Sequence, residues 1–548
     1  MCAGKVGGFF FLFLMQQPHK KRQHEADDTT RTLAYLLADK ERRGLSWHDW
    51  EAEHRVFDAP ILRHKLQDSI HSLLSQWPVA FPLLEVVGAA LPLRQHLELY
   101  LRQYTSTHRV HLPRFLPVRS LLFKFSADGR VITHTSNQGL YYQLLTVYHP
   151  QSPAHVVTHC AATLAETAPA VATVYHQSTI TQLLPEIALG RWRSNWRGEE
   201  LLLDYIYSAD WMIHVAQLAL EQPNADEDDS VCCWLCRRTK RWTRDGWRSQ
   251  PFQFVPIERT HADFAAVAQQ YPMAAAVDLA RRRYCWGHGI ARLLSNLLST
   301  ICNAIDDQRV TQLAECVRRS STAYKWTAGG SLSMKDAKLL LDAPDFMRTV
   351  PELVRDATTA PCRLLLPGLS SNELLLRELT APTVVQLLLA SIATVKDFAY
   401  ARWPARQSFR VLWRARNALL SAYAANDLPL APSEHFLLHH GIELALRDRT
   451  AFFTVQEAIE HKHKSDRADA EHTSHSRKRT DRSTRSFLEQ MLDHQELRRI
   501  LDVVDNVINQ RDYDLERLTY LALRPELSVV PDLPLPDALM SLNNQVSE

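Results

Sequence analysis

Two short cysteine motifs are the residues of this sequence whose types and spacing best fit metal chemistry. Cys233-x-x-Cys236 lets one loop present two thiolates to a tetrahedral ion, and Cys285-x-x-His288 is a second pair of this kind. Together the two pairs would make a Cys3His zinc site. The 48 residues between the pairs exceed the spacing of compact zinc modules, and a buried, metal-free core explains the same cysteines. We therefore expect no cofactor, with a structural zinc at Cys233, Cys236, Cys285 and His288 as the alternative.

Three segments interleave arginine with tryptophan, at 191–197, 237–248 and 402–416. Guanidinium groups bind phosphates and tryptophan stacks on unpaired bases, so the pattern suits single-stranded nucleic acid. Arginine stacked on tryptophan is also common at protein interfaces, which makes partner binding or internal packing the preferred interpretation. The candidate nucleic-acid-binding or partner-binding residues are Arg191, Trp192, Arg193, Arg237, Arg238, Arg241, Trp242, Arg244, Arg406, Arg410, Trp413 and Arg414.

Motifs of the common enzyme classes are missing from the sequence. Glycine is scarce, at 16 of 548 residues, and neither a dinucleotide-binding glycine motif nor a P-loop occurs. The Gly-x-Ser-x-Gly elbow of serine hydrolases and the His-Glu-x-x-His helix of zinc proteases are also absent. His155, His159 and Cys160 cluster in sequence without an evident fourth metal ligand, so we assign them a structural role. These observations predict a protein that is not an enzyme.

Charge and cysteine content limit the partners and the compartment. The 63 basic and 61 acidic residues leave a net charge of +2, so any contact with nucleic acid must come from local patches. Nine cysteines without regular spacing predict a reducing environment, hence an intracellular protein, cytoplasmic or nuclear. The basic cluster Arg477-Lys-Arg479 fits nuclear import. The apolar run at 9–15 is too short to cross a bilayer, so we expect a disordered leader and no membrane contact.

The elements that would position these residues are predicted from apolar periodicity. Helical spacing recurs in most of the chain, including a buried helix over about 199–221, and Asp128-Gly129 predicts the turn of a β-hairpin. The predicted fold is a mainly α-helical multi-layer protein with a small β-containing (α+β) segment near 115–180. The predicted units are a leader 1–28, a helical region 29–114, an α+β region 115–222, an acidic and basic loop 223–250, a helical core domain 251–460, a disordered basic linker 461–485, a C-terminal helical segment 486–530 and a flexible tail 531–548.

The function predicted from these features is that of a non-enzymatic scaffold or adaptor subunit in a larger intracellular assembly. Its protein partners would contact Trp403, Trp413, Arg406 and Arg410, together with the apolar face of an amphipathic helix between 487 and 508. A single-stranded RNA-binding protein, such as a helical nucleoprotein or an RNA-complex subunit, is the alternative. An enzyme or zinc-stabilised domain, with a site assembled from distant residues, is the third hypothesis.

Overall fold

The structure is a computed structural model, and most of the region between residues 80 and 496 is described by it. The described residues are 80–84, 86–98, 120–131, 136–144, 156–164, 168–196, 199–220, 231, 233–253, 255–270, 276–277, 279–323, 325–367, 374–401, 404, 406–448, 450–476 and 486–496. Several predictions fall outside them, namely the leader 1–28, the tail 531–548, the cluster 477–479 and the residues His155 and Trp403.

A mixed β-sheet of eight strands organises the first half of the described chain. Its strands are β1 (Phe81–Pro82), β2 (Val87–Ala90), β3 (Ser120–Val131), β4 (Ser136–Leu144), β5 (Val157–Thr163), β6 (Arg193–Trp196), β7 (Glu199–Ala209) and β8 (Arg282–Tyr284). The strand order is β1-β2-β5-β4-β3-β7-β6, and β8 pairs with the C-terminal end of β7. Strands β3, β4 and β5 form an antiparallel meander, whereas β7 runs parallel to both β3 and β8.

Helices lie on both sides of the sheet and form a second unit after it. Their bounds are α1 (Ala168–Gln177), α2 (Ile180–Ala188), α3 (Trp211–Gln217), α4 (Lys240–Arg244), α5 (Ala265–Gln270), α6 (Trp286–Ala304), α7 (Asp307–Ser320), α8 (Met334–Asp342), α9 (Pro344–Leu353), α10 (Ala381–Tyr400), α11 (Arg406–Ala425), α12 (Pro432–His435), α13 (Ile442–Asp448) and α14 (Glu457–Ser476). A π-turn over Phe436–Gly441 joins α12 to α13. A small antiparallel hairpin, β9 (Arg363–Pro367) with β10 (Leu374–Glu378), precedes α10.

The prediction of a mainly α-helical protein with a small β-containing segment near 115–180 is wrong. The fold is mixed α+β, and its sheet draws strands from residue 81 to residue 284. The largest misassignment is 199–221, where β7 precedes the short helix α3. A central parallel strand is buried on both faces and therefore carries an apolar run without clear alternation, which periodicity cannot distinguish from a buried helix.

The hairpin turn predicted at Asp128-Gly129 is in the wrong place. Strand β3 continues through Asp128 and Gly129, and its pairing with β4 extends as far as Val131 opposite Ser136. Asp128 is thus a strand residue near the carboxyl end of β3. This shift matters for function because it brings the Asp128 side chain to an edge of the sheet where parallel strands end.

The helices α6 to α11 pack around one apolar core, which includes Leu294, Leu388 and Leu419, all fully buried. Helix α10 is the one described helix that is long and apolar enough to cross a membrane, and 56% of its apolar window is buried inside the fold. Packing of this kind is typical of a core helix in a helical unit.

Helix α14 occupies most of the segment predicted to be a linker. Its Asp466 is fully buried, accepts a hydrogen bond from the Gln495 Nε2 atom at 2.7 Å and lies within 3.4 Å of the Thr158 hydroxyl on β5. Tertiary hydrogen bonds of this kind order a polar helix that has no apolar stripe of its own, which is why composition predicted disorder. Helix α14 therefore lies against the face of the sheet opposite α1 and α2.

Candidate functional site

Four buried side chains from two distant parts of the chain converge on one point. They are Cys233, Cys236, His435 and His440, and their ligand atoms all lie within 4.8 Å of one another. The distance between Cys236 Sγ and His435 Nε2 is 3.4 Å. Ligands of a tetrahedral zinc ion, bound at about 2.0–2.3 Å, lie roughly 3.3–3.8 Å apart. The cluster therefore has the composition and nearly the dimensions of a closed Cys2His2 zinc site, and we call it the zinc centre.

The π-turn is what allows two histidines five positions apart to share this site. In an α-helix, residues five apart are separated by about 140° around the axis, so their side chains diverge. A π-turn closes hydrogen bonds from residue i to i+5 and stacks those residues. His435 and His440 bracket the turn Phe436–Gly441 in this way, so both rings reach the two thiols.

The protonation state of the zinc centre fits metal binding. Both ring nitrogens of His440 are buried, and apart from the nearby thiols they find no polar partner among the described residues, which is costly for an imidazole in an apolar core. Burial, together with His440 and Arg238, keeps the pKa of His435 well below its usual range, so its ring is neutral. Burial and the neighbouring Cys236 raise the pKa of the Cys233 thiol, opposed by His440. A cation at this point would satisfy the imidazoles and stabilise the thiolates.

The loop that carries the cysteines is held by backbone contacts and aromatic rings. The Leu235 N–H points at Cys233 Sγ at 3.5 Å, and the Leu235 carbonyl accepts hydrogen bonds from the N–H groups of Glu258 and Arg259. Trp234 is fully buried and stacks on Phe436 of the π-turn at a ring distance of 4.5 Å. The residues that flank the ligands thus bring the loop and the π-turn together even before an ion is bound.

The structure does not join Cys285 and His288 to this cluster, and the predicted Cys3His set is corrected accordingly. Cys233 and Cys236 find their partners in His435 and His440, about 200 residues downstream. Cys285 instead contacts the Met334 sulfur at 3.6 Å, and His288 Nε2 lies 3.6 Å from Glu460. This second pair belongs to a different polar site at the carboxyl edge of the sheet.

That second site begins with two aspartates on adjacent parallel strands. In the pairing of β3 with β7, Ala127 lies opposite Ala209, so Asp128 and Asp210 follow side by side. Neighbouring strands are about 4.8 Å apart, so the backbones of the two aspartates lie side by side. Asp128 is buried, and Asp210 caps α3 by accepting a hydrogen bond from the Ile213 N–H at 2.8 Å. In sheets with parallel strands, ligands commonly bind beyond the carboxyl ends of the strands.

Helix α6 brings a histidine to the two aspartates. Strand β8 ends beside β7, where the Cys285 N–H donates to the Ala209 carbonyl, and α6 begins at the next residue. Burial opposes protonation of His288, but Cys285, Asp128 and Asp210 together raise its pKa to about 10. His288 Nε2 lies 3.6 Å from Glu460, and the raised pKa keeps its ring positively charged at neutral pH.

Helix α14 adds two glutamates to the same edge, and we call the whole set the carboxylate edge: Asp128, Asp210, His288, Glu457 and Glu460. The segment before α14 is fixed across the strand ends, since Gln456 Nε2 donates to the Ser208 carbonyl at 2.8 Å and lies 3.4 Å from the Ala127 carbonyl. Burial raises the pKa of Glu460, and the charge of His288 lowers it again.

Basic side chains from α8 and α14 lie around the carboxylate edge. Lys338 of α8 lies 3.6 Å from Glu457, and its ammonium group stacks over the ring of Tyr400 at 4.4 Å. Lys464 is exposed one helical turn beyond Glu460 on α14. His463 lies 3.5 Å from Asp128. The edge therefore combines clustered carboxylates, which suit divalent cations, with positive groups that suit an anionic substrate.

The zinc centre and the carboxylate edge are connected through the start of α6. Tyr284 of β8 packs on Phe436 of the π-turn, with ring centroids 5.8 Å apart. A Cβ atom at Gly289 would lie 2.9 Å from the Leu437 side chain, so glycine is required where α6 meets the π-turn. His288 is adjacent to this contact, and the zinc centre therefore braces the element that carries His288.

The arginine–tryptophan segments are mostly packed or paired. Trp192 is 8% exposed beneath Arg94, and Trp413 is 5% exposed beneath Arg416. Arg238 stacks on Trp242 at 4.8 Å. Arg237 pairs with Asp263, and Arg244 pairs with Asp245. Trp192 and Trp413 thus pack inside the fold, and Trp242 is half-buried.

The remaining arginines of these segments differ in exposure. Arg191, Arg241, Arg410 and Arg414 are exposed, and Arg410 and Arg414 lie one turn apart on α11. Arg193 belongs to β6 and Arg406 begins α11. Arg248, which follows Trp247, pairs with Asp427 just beyond the end of α11, so the second segment lies near the carboxyl end of that helix.

His159 and Cys160 lie on β5 and are both fully buried. Burial lowers the pKa of His159 to about 3, assisted by His96, so its ring is neutral. No further metal-binding group involves them among the residues that the structure describes.

Sequence patterns that were present but overlooked could have identified both sites. His435-x4-His440 has the histidine spacing of a zinc module, although it lies far from the cysteines. The tripeptide Ser-Ala-Asp occurs at 126–128 and again at 208–210, each time after a β-prone run. A β-prone run followed by the same Ser-Ala-Asp tripeptide in two places predicts neighbouring aspartates if the two strands pair.

Comparison with known proteins adds no family. No protein-family model matches the chain, and no curated protein matches it either.

Proposed function

We propose that this chain is a zinc-stabilised enzyme of phosphodiester chemistry, which uses divalent cations at the carboxylate edge to cleave or transfer a nucleic-acid strand. The observation that carries the proposal is the register of β3 with β7, because it sets Asp128 directly beside Asp210. Glu457 and Glu460 extend the set of oxygen ligands from α14. This proposal replaces the expectation of a protein without catalytic activity.

Clustered carboxylates favour magnesium or manganese as the bound ions. Carboxylates that share one edge of a sheet repel one another, and a divalent cation relieves that repulsion. Such ions polarise a phosphoryl group and lower the pKa of bound water, which is the chemistry that they would supply here. His288 and Lys338 add positive charge beside the carboxylates, where an incoming phosphate would lie.

Nucleic acid is the substrate class that best fits the remaining features. The chain has few glycines and no phosphate-cradling loop, so metal ions and basic side chains must hold the phosphate. Exposed Lys464 near the edge, and Arg410 and Arg414 on α11, offer contacts for a longer polyanion than a single nucleotide. The RNA-binding hypothesis drawn from the arginine segments thus becomes part of the proposal.

The test is incubation of the full chain with end-labelled DNA and RNA oligonucleotides, single-stranded and duplex. We expect shorter or joined products in the presence of Mg²⁺ or Mn²⁺ and none when these ions are omitted. Omission is preferable to EDTA, because a chelator would also remove zinc from the zinc centre. Binding without any change in product length, in either metal and on all four substrates, would contradict the proposal and favour a non-enzymatic scaffold.

Gln456 provides a first prediction about how the edge is assembled. Replacing it by alanine removes the amide that holds the segment before Glu457 against both strand ends. We expect Gln456→Ala to lower the cleavage rate by about 10–100-fold, the usual range for residues that orient metal ligands. The lost hydrogen bonds should destabilise the fold by only about 1–3 kcal/mol.

The matched control for this variant is Gln312→Ala, which changes an exposed glutamine on α7. Cleavage rates at saturating Mg²⁺ and thermal unfolding curves of both variants measure the two effects separately. If Gln456→Ala cleaves as fast as the Gln312→Ala control, Gln456 has no role in assembling the carboxylate edge.

A further inference from the structure

Arg416 on α11 is a fully enclosed guanidinium group that faces the π-turn. Its side chain is 2% exposed, and it forms no ion pair with a carboxylate in the described part of the chain. Its ring neighbour is Trp413, over which the guanidinium group lies at 4.8 Å. Burial of a charge without a counter-ion is costly, so the hydrogen bonds of Arg416 should account for its presence in the core.

Those hydrogen bonds end on the π-turn. Arg416 Nε donates to the Leu438 carbonyl at 2.9 Å, and its Nη2 atom lies 3.4 Å from His439 Nδ1. A third nitrogen donates to the Asn417 side chain at 2.8 Å, which keeps the guanidinium plane in one orientation. Burial alone lowers the pKa of Arg416 to about 9, so the group remains charged at neutral pH.

The Leu438 carbonyl needs such a donor because of the π-turn itself. Widening of a helix from i+4 to i+5 hydrogen bonding interrupts the regular ladder, and carbonyl groups in the interruption require another partner. Leu438 lies between His435 and His440, so a change in its peptide orientation would move the two ligands relative to each other. In a regular α-helix they would point about 140° apart.

We propose that Arg416 is a positioning residue for the zinc centre, which holds the π-turn in the form that aims His435 and His440 at the same ion. The inference rests on the zinc centre of the proposed function and goes beyond it, since Arg416 touches none of the four ligand atoms. It also gives α11 a role that its exposed arginines do not share: one arginine of the helix faces inward and supports the metal site.

The test compares Arg416→Met with Arg416→Lys and with the control Arg414→Met, an exposed arginine on the same helix. Zinc affinity is measured on the full chain by competition with a chromophoric chelator. We expect Arg416→Met to bind zinc about 10–100-fold more weakly than the wild type, as found for outer-shell partners of metal ligands. Arg416→Lys, which keeps a charged donor, should recover part of that loss, and Arg414→Met should bind as the wild type does.

Cobalt substitution separates positioning from general destabilisation. With excess Co²⁺, the wild type should give the absorption bands of a tetrahedral dithiolate site, and Arg416→Met should give shifted or weaker bands although its circular dichroism is unchanged. If Arg416→Met fails to fold, Arg416→Lys carries the test through the same two measurements. Zinc affinity within about twofold of wild type, with an unchanged cobalt spectrum, would overturn the role of Arg416 while leaving the zinc centre intact. A wild-type chain without zinc would overturn both.

Discussion

Asp128→Asn and Asp210→Asn should each lower the metal-dependent cleavage rate by at least about a thousandfold. A metal ion at a phosphoryl centre stabilises the transition state by several kcal/mol, and each 1.36 kcal/mol corresponds to a tenfold change in rate. Asparagine removes the charge that holds the ion and keeps nearly the same shape. The effect should therefore appear in the rate and not in the fold.

The local structure supports this separation of activity from stability. Asp210 caps α3, and asparagine is as good an N-cap as aspartate. Asp128 lies beside His463, and an asparagine oxygen can still accept a hydrogen bond there. Removal of one of two neighbouring negative charges also relieves repulsion. Both variants should keep the wild-type unfolding midpoint within a few degrees.

The matched control is Asp307→Asn, because Asp307 is an exposed aspartate in the first turn of α7. All variants are assayed with labelled oligonucleotide and Mg²⁺, and binding is measured without the ion. We expect the control to cleave normally and the two edge variants to bind substrate without cleaving it. Full activity in Asp128→Asn would exclude the carboxylate edge as the catalytic site, and residual activity common to all preparations would indicate a contaminant.

Local sequence signals identified candidate functional residues but assigned them to the wrong secondary-structure elements. Asp128-Gly129 is typical of a turn, yet the pairing of β3 with β4 continues past it, since nine backbone pairs outweigh one local preference. Likewise, the apolar run of β7 has the composition of a buried helix, and its identity as a strand depends on β3 and β8, which lie more than 70 residues away in sequence. The pairing of β3 with β7 is what brings Asp128 and Asp210 side by side at one edge.

The helices of the second unit were easier to predict, because their apolar spacing is local. Helix α6 carries Ile290, Leu294, Leu297 and Ile301 at helical spacing, and all four are buried. Half of the zinc centre could be predicted from the sequence, because a Cys-x-x-Cys pair is recognisable from its spacing alone. Its histidines were missed because the chain between them and the cysteines forms an entire helical unit, and no spacing rule covers such a separation.

Zinc content should distinguish the ligand set of the structure from the one that sequence spacing predicted. We expect one zinc per chain in the wild type and almost none in Cys236→Ser or His440→Asn, since a four-ligand site loses its closed tetrahedral shell in either variant. Cys285→Ser and His288→Asn should retain the full zinc content, because Cys285 contacts Met334 and His288 lies beside Glu460, away from the four converging ligands. Metal analysis of the five proteins after gel filtration gives the result directly.

Both the stability of the fold and the cleavage activity should depend on bound zinc. With free zinc at about 1,000 times its dissociation constant, binding contributes about 4 kcal/mol to folding, which corresponds to a fall of roughly 10 °C in the unfolding midpoint when the site is lost.

The π-turn packs on Tyr284 and on the start of α6, so Cys236→Ser should also slow cleavage through displacement of His288, even though it leaves the aspartates untouched. Added zinc should restore neither property in Cys236→Ser, whereas it should restore both in wild-type protein stripped with a chelator. Loss of zinc from Cys285→Ser with retention in His440→Asn would instead support the Cys3His set and refute the convergence of the π-turn histidines on the cysteine loop.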